Sequence, residues 1–261
     1  MKKEEFRKIL KNSDISVLPG GDSKRVFLVR DVKEKFVLRK FEDTKTRTVY
    51  EKLCKRLKNY DFLPKVYFAE GKTILFEYIE GRDCKKSDAL LVAEQIGSIC
   101  AYVNSIKPMT SSNRDQDFLR YANKLRTKKV ITLDQMNELI STYHKLKTKL
   151  KPKLVMDAND VYSQNFRLRK GKVYFVDIEA IMSFYKGQGI AKGFRKFFKT
   201  NVQQKKFLKG YEKVSSTNFL TEDYWKFLNI VFLARSLCFG LIFDKELREK
   251  DFDKLKQLMK W

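Results

Sequence analysis

The feature that most constrains this chain is a change of periodicity near residue 81. Before it, "RVFLVR" (25–30) and "KFVLRKF" (35–41) alternate and are rich in β-formers, with the short charged turn DVKEK between them. "TKTRTVYEKLCKRLKNY" (44–60) then repeats its apolar residues at helical spacing through Val49, Leu53 and Leu57, with Thr44 or Thr46 as its cap. "PKVYFAE" and "KTILFEYI" flank Gly71 and make a second hairpin. After Gly81 the helical period dominates: 87–106 from a Ser87 cap, then 116–127 and 132–150, then most of 188–260. One short strand-like interlude breaks this run, KLVM followed by KVYFVD. The expected fold class is therefore α+β. A small antiparallel sheet lobe with one helix (1–80) is followed by a larger, mainly helical lobe holding a small hairpin (81–261).

Composition narrows the setting. Of 261 residues, 43% are hydrophobic and 13% aromatic, a globular balance. No apolar run is long enough to cross a bilayer, and MKKEEFRKIL reads as an amphipathic helix rather than a signal peptide. Cys54, Cys84, Cys100 and Cys238 are far apart and His144 is the single histidine, which argues against both a zinc site and a disulfide framework. A reducing, cytoplasmic location is expected. The formal charge of +24 draws polyanions: nucleic acid, acidic head groups or phosphorylated glycans. Peripheral contact with an acidic membrane face follows as one expectation. A lysine-rich surface that merely solvates the protein is the alternative. The densest basic stretch runs from Lys186 to Lys213, where Phe184, Tyr185, Phe194, Phe197 and Phe198 interleave with the cations. That pattern suits RNA, with phosphates on the cations and bases on the rings, or a helix whose rings face a core.

The interlude carries the chemistry. "DANDVYSQNF" (157–166) places Asn165 five residues after Asp160, and Asp177 follows at the end of the strand KVYFV. In protein-kinase-like enzymes such an aspartate accepts the proton of the acceptor hydroxyl. The asparagine and the later aspartate hold Mg²⁺, an ion that takes hard oxygen ligands. A polar turn with Asp177 as a strand-end cap is the plain alternative. Upstream, "VLPGGDSKRVFLVR" puts Gly20 and Gly21 where backbone N–H groups could approach phosphates. In "FVLRK", a period of two sets Val37 and Arg39 on one face and Leu38 and Lys40 on the other. Arg39 is the better phosphate-binding cation, with Lys40 as fallback. Glu51 in the next helix is its expected partner, unless it serves a lysine one turn away. "LFEYIEGRD" (75–83) falls where a hinge belongs, so backbone groups from Glu77 to Ile79 would hold an adenine.

Taken in order, "LPGGDSKRVFLV", "FVLRKF", Glu51, "ILFEYIEGRD", "LVMDANDVYSQNFRL", "VYFVDIEA" and the later "FLKGYEK" resemble the aminoglycoside phosphotransferase and choline kinase-like small-molecule kinases. The resemblance implies a bilobal, protein-kinase-like enzyme using ATP and Mg²⁺ to phosphorylate a hydroxyl of a non-protein acceptor. It implies Asp160 as catalytic base, Asn165 and Asp177 as metal ligands, and Arg39 with Glu51 at the phosphates. Gly20, Gly21, Glu77 and Ile79 would contact the nucleotide. Lipopolysaccharide-core sugar kinases are similar to this group and often basic. With the charge, they favour an anionic acceptor, a sugar or glycolipid, over choline or an aminoglycoside, with RNA as a further substrate class. The family's usual catalytic-loop histidine is Ala158 here. That departure keeps open a pseudokinase, a binding or scaffold module for nucleic acid or an acidic membrane surface. Glu179, in "DIE", and Asp157 are further acids in the region. Asp157 is too far from Asn165 to be the base under this alignment.

Overall fold

A computed structural model describes residues 1–18, 25–32, 34–109, 113–243 and 245–261. The chain divides into two compact units, Met1–Gln95 with Ser163–Ala180, and Ile96–Tyr162 with Ile181–Trp261.

The first unit is built on a five-stranded antiparallel sheet: β1 (Asp14–Val17), β2 (Val26–Arg30), β3 (Lys35–Lys40), β4 (Val66–Glu70) and β5 (Thr73–Glu77), in the order β1-β2-β3-β5-β4. Both hairpins read from alternation are present. Helix α1 (Lys3–Asn12) lays Phe6 on Phe68, ring centroids 4.5 Å apart, and closes a small core with Val29, Phe36 and Leu75. Leu38 packs on the same core, so alternation turns Arg39 to the opposite face. Helix α2 (Thr44–Arg56) packs against β4 and β5 and buries Leu53 and Cys54. Its N-cap is Asp43, whose carboxylate accepts from the Thr46 N–H at 2.6 Å, and not Thr44 or Thr46. An ionised oxygen one residue earlier outcompetes a hydroxyl for that donor.

A second small sheet completes the unit: β6 (Arg82–Asp83), β8 (Phe166–Arg169) and β9 (Lys172–Phe175), in the order β6-β8-β9. The hairpin turn at Lys170 and Gly171 has φ of 48° and 78°, the left-handed pair that a tight two-residue turn demands. Phe166 stacks on Phe175 at 4.9 Å, and the Phe175 N–H donates to the Phe62 carbonyl.

The second unit is helical around one short strand pair. Helix α3 (Ala89–Asn104) enters it after Gln95; α4 (Arg114–Thr127), α5 (Leu133–Leu150), α6 (Gln188–Lys196), α7 (Asn201–Glu212), α8 (Glu222–Phe243) and α9 (Lys245–Met259) follow. The expected Ser87 cap lies instead inside a 3₁₀ turn, Lys86–Asp88, that precedes α3. Strand β7 (Leu154–Ala158) pairs with β10 (Ile181–Tyr185), an element the sequence pattern did not reveal. Helix α8 packs against α4, α5, α6 and α9. It buries Phe227, Leu228, Ile230, Val231, Leu233 and Leu237, being apolar almost all round. No described helix is long and apolar enough to cross a membrane.

Gly97 shows how tightly this unit closes. A Cβ there would stand 2.0 Å from the Phe207 carbonyl oxygen on α7, so α3 and α7 meet backbone to backbone. Gly97→Ala is expected to cost at least about 2 kcal/mol, read as a lower urea midpoint at unchanged slope.

Candidate active site

In the first unit, β3 carries Arg39 to the acidic segment that follows β9. The Arg39 Nη2 donates to Asp177 Oδ1 at 3.0 Å and to Glu179 Oε2 at 2.8 Å. Its side chain is only 12% exposed, so these charge-assisted bonds lie in a partly dry setting where solvent and salt screen them little. The register of the β8–β9 hairpin brings the next candidate in. The Asn165 carbonyl accepts from the Val176 N–H at 3.0 Å, which sets Asn165 beside the residue preceding Asp177. Asn165 is buried and Asp177 partly exposed. One amide and one carboxylate, with Glu179 close by, form a sparse set of hard oxygen donors. That fits an ion which keeps waters or phosphate oxygens in its shell. Among the described residues no group of three or more His, Cys, Asp or Glu could hold a metal by itself.

Glu51 does not pair with Arg39. It bonds Arg47 and, at 2.7 Å, Lys55, its neighbours one turn away on α2. These local pairs fix Glu51 without any tertiary movement. The residue of α2 that reaches the acidic segment is Tyr50, whose hydroxyl donates to the Glu179 carbonyl at 3.2 Å. Burial, followed by the charge of Glu179, pushes this phenol up to about 12. The sequence signal for it was slight: an aromatic beside the expected glutamate. Glu77 is committed within the sheet, its N–H on the Lys65 carbonyl and its carboxylate on the Lys65 N–H, and Ile79 is buried. A cavity of about 700 Å³ in this unit is lined by Glu51, Cys54, Lys58, Tyr60, Glu77 and Tyr174, among others. Gly20 and Gly21 lie outside the described residues.

In the second unit, Asp160 follows β7 and pairs with Lys192 of α6 at 2.6 Å. The loop around it is anchored on both sides. Asn159 is buried and donates to the Met182 sulfur at 3.3 Å, and Val161 packs on Gly193. Lys192 was visible only as one cation in a basic run. That run does not form a stacking surface. Phe184, Tyr185, Phe197 and Phe198 are buried, and Phe194 packs on Phe207 and Trp225. These rings therefore lend the RNA expectation no support, since they pack into the protein and do not form a surface for bases. Arg195 and Lys196 are also engaged, on the buried carboxylate of Asp251.

Asp157 is the structural carboxylate of this unit. It is 2% exposed and accepts from Asn104 Nδ2 at 2.9 Å, Gly187 N at 3.2 Å and Gly189 N at 2.7 Å. Asn104 in turn accepts from the Tyr211 hydroxyl at 2.9 Å. A Cβ at Gly189 would stand 2.1 Å from the Ala158 carbonyl oxygen, so only glycine lets α6 start this close to β7. Ala158 is fully buried and paired with Ile181 in the ladder.

No family model matches the sequence. The fold itself is the protein-kinase-like fold of small-molecule phosphotransferases. In particular, choline kinase LicA from Streptococcus pneumoniae superposes with a TM-score of 0.71 at 14% identity, over 99% of this chain and 97% of that one. An ADP-bound aminoglycoside phosphotransferase, APH(2'')-Ib, gives 0.66 at 15% identity, over 98% and 96%. Among curated proteins, a LicA homolog from Mycoplasma capricolum is 29% identical over 128 residues, 47% of this chain and 50% of that protein. That match thus spans half the length of the curated relative.

Burial, only partly offset by its hydrogen bonds, raises the Asp157 carboxyl from 3.8 to about 6. A folded value above the unfolded one means the folded protein binds this proton more tightly. The stability it contributes is full below about pH 4 and is lost as pH rises through about 6, on the order of 3 kcal/mol in all. The difference in unfolding free energy between wild type and Asp157→Asn should therefore shrink by most of that amount from pH 4 to pH 7. A pH-independent difference would contradict the assignment.

Proposed function

We propose that the chain is an ATP-dependent phosphotransferase that moves the γ-phosphate to a hydroxyl of a non-protein, anionic acceptor. In this reading the sheet segment 1–80 serves the nucleotide, and 81–261 carries the catalytic loop and the acceptor site. Asp160 accepts the hydroxyl proton as the acceptor oxygen bonds to phosphorus and the β–γ bridge breaks, the electron pair leaving with ADP. Asn165 and Asp177 would hold Mg²⁺, whose charge offsets that of the phosphates. Arg39 contacts phosphate oxygens, and its planar fork suits them bidentately. Gly20, Gly21 and the Glu77–Ile79 backbone would contact the remainder of ATP.

The observation that carries the reading is the convergence of Arg39 on Asp177 and Glu179. A cation and an acid chosen separately from sequence, 138 positions apart, lie 3.0 Å from each other. The shared fold with a choline kinase and an aminoglycoside kinase supports the same chemistry. The anionic acceptor is supported by the +24 charge, which would repel a cationic substrate. A phosphorylated or acidic sugar fits it, free or carried on a glycolipid.

Mg·ATP should raise the melting temperature of wild type, and Asp177→Ala should abolish the magnesium-dependent part of that rise. Asp160→Ala should keep the rise and lower phosphotransfer by about 10³-fold or more, since base and positioning are lost together. Retained turnover in Asp160→Ala would remove Asp160 as base. Absence of any nucleotide effect in wild type would favour the pseudokinase.

A further inference from the structure

Arg235 of α8 is charged, half-buried and without a partner carboxylate. Its guanidinium lies over the ring of Phe184 at 5.5 Å and over that of Phe239 at 5.6 Å. No hydrogen bond or ion pair engages it among the described residues. Two nearby cations are already paired. Arg114 lies over the same Phe184 ring at 4.4 Å, but it is bonded to Asp117 at 2.8 Å and to the Ser183 carbonyl. Lys192 is held by Asp160. Arg235 is thus a cation with no ion-pair partner among the described residues, and the carboxylates of Asp160 and Asp117 are within its electrostatic reach. Burial lowers its affinity for its own proton. An arginine nevertheless stays charged; Asp160 and Asp117 offset part of the cost of its desolvation, and an arriving anion would offset more of it.

The rings tell the same story. A quaternary ammonium or an aminocyclitol is held by aromatic faces and carboxylates. Here Phe184 has guanidinium groups over it, and the candidate base already carries a lysine.

We propose that Arg235 anchors an oxyanion, a phosphate or carboxylate, on the acceptor whose hydroxyl Asp160 deprotonates. This rests on the phosphotransferase reading and makes Arg235 a determinant of acceptor class. The fork of Arg235 would take two oxygens of the anion while the stacked rings hold its plane. Lys192 differs in being bonded to Asp160 itself.

The test is a thermal-shift titration with Mg·ADP in excess, using methyl phosphate, acetate and choline as separate probes. In wild type, methyl phosphate or acetate should raise the melting temperature and choline should not. The responding probe tells phosphate from carboxylate. Arg235→Gln should weaken that response about tenfold or more, the loss of one charge-assisted bidentate contact, and keep the rise caused by Mg·ADP. If Arg235→Gln fails to fold, Arg235→Lys, which retains the charge and loses the fork, should weaken the response by about threefold or more. A choline response in wild type, no response to either anion, or equal anion responses in wild type and variants would overturn the proposal. The anion titration is repeated without nucleotide. A wild type that shows no Mg·ADP rise but loses its anion response in Arg235→Gln would sink the kinase reading and leave the anion site standing.

Discussion

The helical unit depends on one buried carboxylate. Asp157 sits at the end of β7 with almost no exposure, and its oxygens are spent on the first turn of α6 and on Asn104 of α3. Through Asn104 the network reaches Tyr211 of α7. A charge this deep is tolerated only if its acceptor sites are filled, and losing one partner of such a set typically costs about 3–5 kcal/mol. The N–H groups it receives are the ones that the start of a helix leaves unpaired, so one side chain satisfies two demands at once. Gly189 makes this geometry available, because any Cβ would collide with the Ala158 carbonyl. The rest of the unit follows from where α6 begins. Lys192 reaches Asp160, Gly193 accepts Val161, and Arg195 reaches Asp251.

The sheet unit solves a similar problem with a cation. Arg39 is nearly covered, and its two carboxylates come from the short segment after β9. That segment is positioned by the hairpin register and by Tyr50, not by a glutamate on α2. A local i,i+4 pair is cheap to form, because helix geometry already places both side chains. Glu51 has two such partners, Arg47 and Lys55, and stays with them. The catalytic-loop histidine that the sequence resemblance implied has no counterpart at the buried Ala158. Tying the loop to its surroundings falls instead to Asp157, Asn159 and Val161.

Much of the architecture was legible in the chain. The β2–β3 and β4–β5 hairpins alternate cleanly because each has one face on a core and one outside it. Helices α4 and α5 announced themselves by period, and the structure adds the cap of α5, where Thr132 forms a capping box with Gln135. What escaped notice had no periodic signature. Strand β10, IMSFY, is buried almost throughout, and an apolar run of that length reads equally well as strand or helix. Its pairing with β7 links residues separated by a whole hairpin, and no local pattern encodes that. Asp43 was passed over as a cap because threonines stood beside it.

The sequence by itself determined the class of most elements, the face of β3 that bears Arg39, and the spacing of Asp160, Asn165 and Asp177. All three follow from short-range rules of period, turn chemistry and chain geometry. Only the tertiary structure decided which charges meet. It gave Arg39 to Asp177 and Glu179, Lys192 to Asp160 and Glu51 to its own helix, and it turned the aromatics of the basic run into the core. Among so many lysines and arginines, the sequence offers each acid a crowd of equivalent partners. Burial removes most of them, and the desolvation cost of every charge that enters the interior selects the few pairs that remain.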